Sequence, residues 1–151
     1  MRTLEQTLRL WAAGFLSHAE VVAWADREIA RLDSPPYALI QLAFDGPEAC
    51  AGVPHPEPPF QVEPMPFKDL FAWRAVALDI EDHAALTAFA HWLIRAWLTE
   101  DLASPFVRLA VEVDHLIDDC GNLPAALERL RAGLPPLMPR CRELAAAYGK
   151  D

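Results

Sequence analysis

A chain of 151 residues that is 53% apolar, with five Trp and seven Phe, has the material for one self-sufficient core. A domain of this length buries about 68–70% of its unfolded surface, which excludes disorder of the whole and predicts a single helical domain over residues 1–151. The net charge of −9 is uneven: residues 45–121 hold fourteen acids against four bases, whereas residues 122–151 hold three acids against five bases. Such an acidic middle repels a phosphate backbone and excludes nucleic acid as the expected partner, while it attracts a basic protein.

Helix punctuation is legible from the first residues. Thr3-x-x-Gln6 has the form of a capping box ahead of the apolar positions Leu4, Leu8 and Trp11, and Gly14 fits the glycine that closes a helix. Ser17-His18-Ala19-Glu20 is a second box, with Leu16 and Val21 placed as a hydrophobic staple. Its helix is predicted to continue through Ala25, Ile29 and Leu32 at the spacing of a buried face, and to end at Asp33 and Ser34. Ser34-Pro35 predicts the next start, serine as cap and proline in the first turn, for a short helix from about Tyr37 to Ala43.

Seven of the fourteen prolines fall between residues 45 and 66. Proline removes a backbone donor and blocks helix interiors and central strands, so this stretch is predicted to be one long loop, a surface strap over the core. Phe67 to Ala77 reads as a helix, although Phe71, Trp73 and Ala75 also alternate as in a strand. From Asp82 onward Leu86, Phe89, Trp92, Leu93, Ala96 and Trp97 make a broad helical stripe, which places Trp92 and Trp97 in the core. Ser104-Pro105 opens a helix with the stripe Phe106, Leu109, Ala110, Val113, Leu116 and Ile117, stopped by Gly121. Asn122 can cap a short helix to Gly133, and Pro135-Pro136 is predicted to break the chain before a last helix from about Pro139 to Tyr148. The expected fold is all-α: an irregular bundle of six to eight helices with one long proline-rich loop at about 45–66.

The longest apolar stretch, Ala84 to Leu98, is interrupted by His91 and Arg95 and falls short of the roughly 20 residues that a bilayer demands. Glu5 stands where a secretory leader runs apolar, and Cys50, Cys120 and Cys141 are odd in number with no CxxC pair. These features predict a cytoplasmic protein with no membrane contact and no disulfide framework. Cys50, in the proline-rich stretch, is predicted to be exposed, and Cys120 and Cys141 to be inert packing residues.

The densest polar cluster is Glu112-Val113-Asp114-His115, followed by Asp118, Asp119 and Cys120. Glu112 and His115 share a helix face at i and i+3, and Asp119 lies one turn further, so the three are candidate metal ligands. A di-iron bundle needs a second Glu-x-x-His, and none of His18, His55, His83 or His91 has a glutamate three residues before it. His83 or Glu81 would have to complete a mononuclear site. The competing reading of the cluster is a solvated acidic face opposite the apolar stripe. Ser17, Ser34 and Ser104 are all accounted for as helix caps, and no G-x-S-x-G elbow or glycine-rich phosphate loop exists. No cofactor is expected, and a divalent metal only if Glu112, His115 and Asp119 act together.

Val22-Ala23-Trp24-Ala25-Asp26, followed by Leu32-Asp33-Ser34-Pro35-Pro36-Tyr37-Ala38-Leu39, resembles a segment of small bacterial helical proteins, some of them similar to immunity proteins of polymorphic toxin systems. The resemblance spans about twenty residues, carries no catalytic residue, and implies a small binding protein with a protein partner. Eleven arginines against two lysines fit a GC-rich bacterial source.

Three functions are therefore expected in descending order. The first is a non-enzymatic acidic binding protein, of immunity or inhibitor type, that presents Asp114, Asp118, Glu81 and Asp82 to a basic partner, with Tyr37 as an aromatic anchor. The second is a metal-dependent helical enzyme using Glu112 and His115. The third is a structural assembly subunit.

Overall fold

A computed structural model describes residues 2–52, 62–98 and 101–149. Among the described residues there are seven α-helices, one π-helical turn and no strand, as the helical periodicity requires. The helices gather into two compact units, Met1–Met65 and Pro66–Asp151, each with its own core.

The first unit comprises α1 (Leu4–Ala12), α2 (His18–Ile29) and α3 (Tyr37–Gly52). Both capping boxes form: the Gln6 amide donates to Thr3 Oγ1 at 3.2 Å and the Thr3 amide to Gln6 Oε1 at 2.8 Å, and Ser17 and Glu20 repeat the exchange at 3.3 and 2.7 Å. Gly14, at φ +76°, lets the Phe15 amide reach the Leu10 carbonyl and its own amide reach that of Trp11, which closes α1. Leu8, Val21, Trp24, Ala25, Leu39, Leu42 and Cys50 form the core.

Several expectations are corrected here. α2 ends at Ile29, so Leu32 lies beyond its buried face and is exposed. α3 begins at Tyr37, where the Pro36 carbonyl accepts the amides of Leu39 and Ile40, so Ser34-Pro35 does not start it. The loop expected at 45–66 does not begin at 45, because residues 45–52 extend α3 across a break at Gly46 (φ 79°, ψ 170°). Pro47 follows that break at the start of a new turn, where a missing N–H removes no helical bond. Residues 53–61 of the expected loop lie outside the described residues. Residues 62–66 form neither helix nor strand; Val62 packs on the core, and Glu63 pairs with Arg9 at 3.1 Å. Cys50 is consequently buried in α3, at 2% exposure, rather than presented in a loop.

The Gly46 backbone occupies a region open essentially to glycine alone. A Cβ added there would overlap the His18 imidazole, whose Nδ1 lies 2.6 Å from Glu48 Oε2. The break in α3 is thus the seat on which the first turn of α2 rests.

The second unit comprises α4 (Phe67–Val76), α5 (His83–Ala96), α6 (Pro105–Asp114), the π-helical turn (His115–Asp119) and α7 (Leu123–Ala146). α4 settles the helix-or-strand ambiguity of its sequence. It is buried on most of its sides, through Phe67, Asp69, Phe71, Ala72, Trp73 and Ala75, which is why no single stripe shows. Phe71 meets Phe89 edge-on at 5.5 Å and Phe106 at 5.0 Å, joining α4, α5 and α6. Trp92 and Trp97 are half-buried rather than core: Trp92 stacks on Phe67 at 6.1 Å and carries the Arg74 guanidinium 4.7 Å from its ring centre.

α7 is one helix of 24 residues, not two. Pro135, Pro136 and Pro139 all lie on its exposed side, while Leu127, Leu130, Leu134, Cys141 and Ala145 face the core. Gly133, expected to end a helix, sits inside α7, where an added Cβ would press on Leu109 of α6 and on Arg129. Beyond α7, the buried Tyr148 hydroxyl donates to Asp69 Oδ2 at 2.9 Å and ties the chain's far end to α4. Among the described residues no helix is long and apolar enough to cross a membrane.

Gly46→Ala should lower the unfolding free energy in denaturant titration by about 1–3 kcal/mol for the backbone alone, with the His18 overlap adding to it. Gly14→Ala, which meets open space, should cost only the left-handed penalty of about 1–2 kcal/mol. Tyr148→Phe should cost about 1–3 kcal/mol in the same measurement, because it leaves a buried carboxylate oxygen without its donor.

Candidate interaction surface at the end of α6

Burial of Phe106, Val107, Leu109, Ala110 and Val113 turns the remaining positions of α6 outward. Ser104 stands at its cap position with Pro105 next, although the serine hydroxyl makes no capping bond. At the other end the helix widens into the π turn. There the Cys120 amide bonds the His115 carbonyl at 3.1 Å, five residues back, and Gly121 at φ +60° lets the Asn122 amide reach Leu116 at 2.8 Å.

This end of α6 collects Asp114, Asp118 and Asp119. No Lys or Arg stands in the last turn of α6 or in the π turn, so these carboxylates sit at the negative end of the helix dipole with only the His115 imidazole beside Asp119. Asp114 registers the strain. Burial and then the neighbouring Asp118 push its pKa above the ordinary 3.8, with Asp119 adding to them. The Trp97 indole N–H, donating to Asp114 Oδ2 at 3.2 Å, acts the other way.

The expected metal ligands do not converge. Glu112 is paired with Arg129 of α7, whereas His115 Nδ1 lies 2.7 Å from Asp119 Oδ2. Among the described residues no three His, Cys, Asp or Glu side chains gather as metal ligands. A groove of about 330 Å³ between α6 and α7 is lined by Arg108, Glu112, Arg129, Gly133 and Pro136 among others.

The other expected contact residues are dispersed. Asp82 caps α5, its Oδ1 accepting the amides of Ala84 and Ala85 at 2.9 and 3.2 Å, and Glu81 is exposed beside it. Tyr37, in the first unit, is 72% exposed, and Phe44, two turns along the same face of α3, is 85% exposed. Phe44 escaped the sequence reading because it adjoins the prolines taken as a loop.

Cys120 is likewise a correction. It is exposed, and its Sγ lies 3.7 Å from His115 Nε2. Cys141 does pack inertly, its thiol pushed up to about 11 by burial. Burial and then Asp45 also raise the Cys50 thiol.

Comparison with protein families, with curated proteins and with solved structures finds no match to this chain.

The pKa of Asp114 fixes the sign of a pH effect. The folded chain keeps a proton that the unfolded chain releases above pH 3.8, so this stabilising contribution is full below 3.8 and is lost as pH rises through the folded pKa. Asp114→Asn, which can still accept from Trp97, should therefore raise the Tm at neutral pH, and the gain should vanish in acid.

Proposed function

We propose that the protein is a non-enzymatic acidic binding protein, of inhibitor or immunity type, whose basic protein partner seats on the C-terminal end of α6. The observation that carries this reading is the grouping of Asp114, Asp118 and Asp119 at a helix end that holds no Lys or Arg and whose dipole already opposes their charge. A cationic side chain brought there relieves repulsion that the isolated chain must bear, and complementary charge speeds association. Leu98, 66% exposed, follows the Trp97 that bonds Asp114, so apolar surface adjoins the acids as interfaces require.

A second reading, an assembly subunit, has its own observation in the exposed Tyr37 and Phe44 of α3. Light scattering separates the two. An oligomer that dissociates in a Tyr37→Ala/Phe44→Ala variant supports assembly, and a monomeric wild type counts against it.

The binding reading is tested with the protein as bait in a bacterial lysate, washed at low and high salt, beside an Asp114→Asn/Asp118→Lys bait. A basic protein should be held at low salt, released at high salt, and bound about tenfold or more weakly by the double variant. Equal affinity of the two baits at low salt would remove this surface from the function.

A further inference from the structure

The π-helical turn also brings three side chains into a row. In an α-helix, residues five apart point about 140° away from one another, so Cys120 would face away from His115. The extra residue of the π turn brings the thiol round, with Sγ 3.7 Å from His115 Nε2. The other ring nitrogen, Nδ1, lies 2.7 Å from Asp119 Oδ2. A carboxylate on Nδ1 holds the ring proton there and leaves the Nε2 lone pair facing the thiol. Thiol, base and orienting carboxylate thus follow one another in the order that activates a nucleophile. All three side chains are exposed, so a small reagent can reach the sulfur.

We infer that Cys120 is a modification site for thiol–disulfide exchange with small cationic disulfides, with His115 as its base and Asp119 as the residue that positions the imidazole. His115 Nε2 takes the Cys120 proton, and the thiolate attacks one sulfur of the disulfide R–S–S–R. The Cys120–S–S–R bond forms as the old S–S bond breaks, and the departing thiolate takes the proton from the imidazolium. Cys120 is oxidised to the mixed disulfide, one half of the reagent is reduced to RSH, and no further oxidant is needed.

The surroundings select the reagent. Asp114, Asp118 and Asp119 attract a cation and repel an anion, so reagent charge sets the local concentration at the thiol. No internal thiol resolves the mixed disulfide, because Cys50 and Cys141 are buried. This site is independent of the binding reading, since it needs no protein partner.

The test treats the full chain at neutral pH with cystamine, a dication, and with dithiodipropionate, a dianion, and follows intact mass. A single adduct, absent from Cys120→Ser, should form about tenfold or more faster with cystamine than with the dianion. His115→Gln should slow the cystamine reaction by about tenfold or more while circular dichroism shows the helices intact. Neutral hydroxyethyl disulfide removes charge steering from the comparison; with it, Asp119→Asn should still slow exchange and Asp119→Glu should restore it. Equal rates for cation and anion, an unchanged rate in His115→Gln, or an adduct on Cys50 or Cys141 would each overturn the inference. Should His115→Gln fail to fold, the Asp119→Asn and Asp119→Glu pair decides on its own, and equal rates in those two overturn it.

Discussion

The second unit depends on α7 remaining helical through Pro135, Pro136 and Pro139. Each proline deletes an amide donor and crowds the carbonyl four residues before it, and each also disfavours helix at the residue preceding it. The helix persists because those costs fall on its outer side, where water can take the freed carbonyls, while Leu127, Leu130, Leu134, Cys141 and Ala145 lie against the core. Leu134 shows the balance at one residue. It precedes a proline pair, yet at 1% exposure it is locked by burial, and a break there would expose it. A continuous α7 in turn lets Gly133 approach Leu109 of α6 and carries the chain on to Tyr148, whose hydroxyl reaches Asp69 of α4.

With α7 in place, α6 has little freedom. Its apolar stripe is committed to the core, and the Glu112–Arg129 pair is made to α7, so its outward residues are determined. Widening into a π turn then decides what its end presents. One extra residue brings Cys120 to one side of the His115 ring, with Asp119 at the other, while Asp114 remains bonded to Trp97. The wide turn is closed by Gly121, whose positive φ lets the next amide fold back on Leu116.

Features governed by local chemistry were legible in the sequence. The boxes at Thr3 and Ser17, the cap at Asn122, and the glycine stops at Gly14 and Gly121 each depend on a few adjacent residues. Proline was the misleading sign, because its meaning depends on burial elsewhere. Pro47 starts a turn after Gly46, and Pro135 and Pro136 lie within a helix held by contacts that no local window contains. The division of the apolar residues between two cores was equally hidden, since periodicity shows that a face is buried but not what it packs against. At the candidate surface the acids Asp114, Asp118 and Asp119 were readable. The Cys120–His115 approach was not, because a helical wheel drawn at 3.6 residues per turn places those two residues on different faces.

The acids at the end of α6 work against the chain that carries them. They stand at the wrong pole of the dipole and repel one another, and burial together with Asp118 and Asp119 holds Asp114 above its ordinary pKa. Trp97 offsets part of this with a single indole hydrogen bond. Reactivity at Cys120 rests on a base placed directly against the sulfur, which is where His115 stands. Violations of the local rules for stability tend to mark functional positions. Here the dipole violation, the π turn and the exposed thiol coincide between Asp114 and Cys120, where Asp114 bonds Trp97 and His115 stands between Asp119 and Cys120. Packing accounts for the inner face of α6 through Val113, and for Leu116 and Ile117, which lie against the core; it supplies no reason for Asp114, His115, Asp118, Asp119 or Cys120.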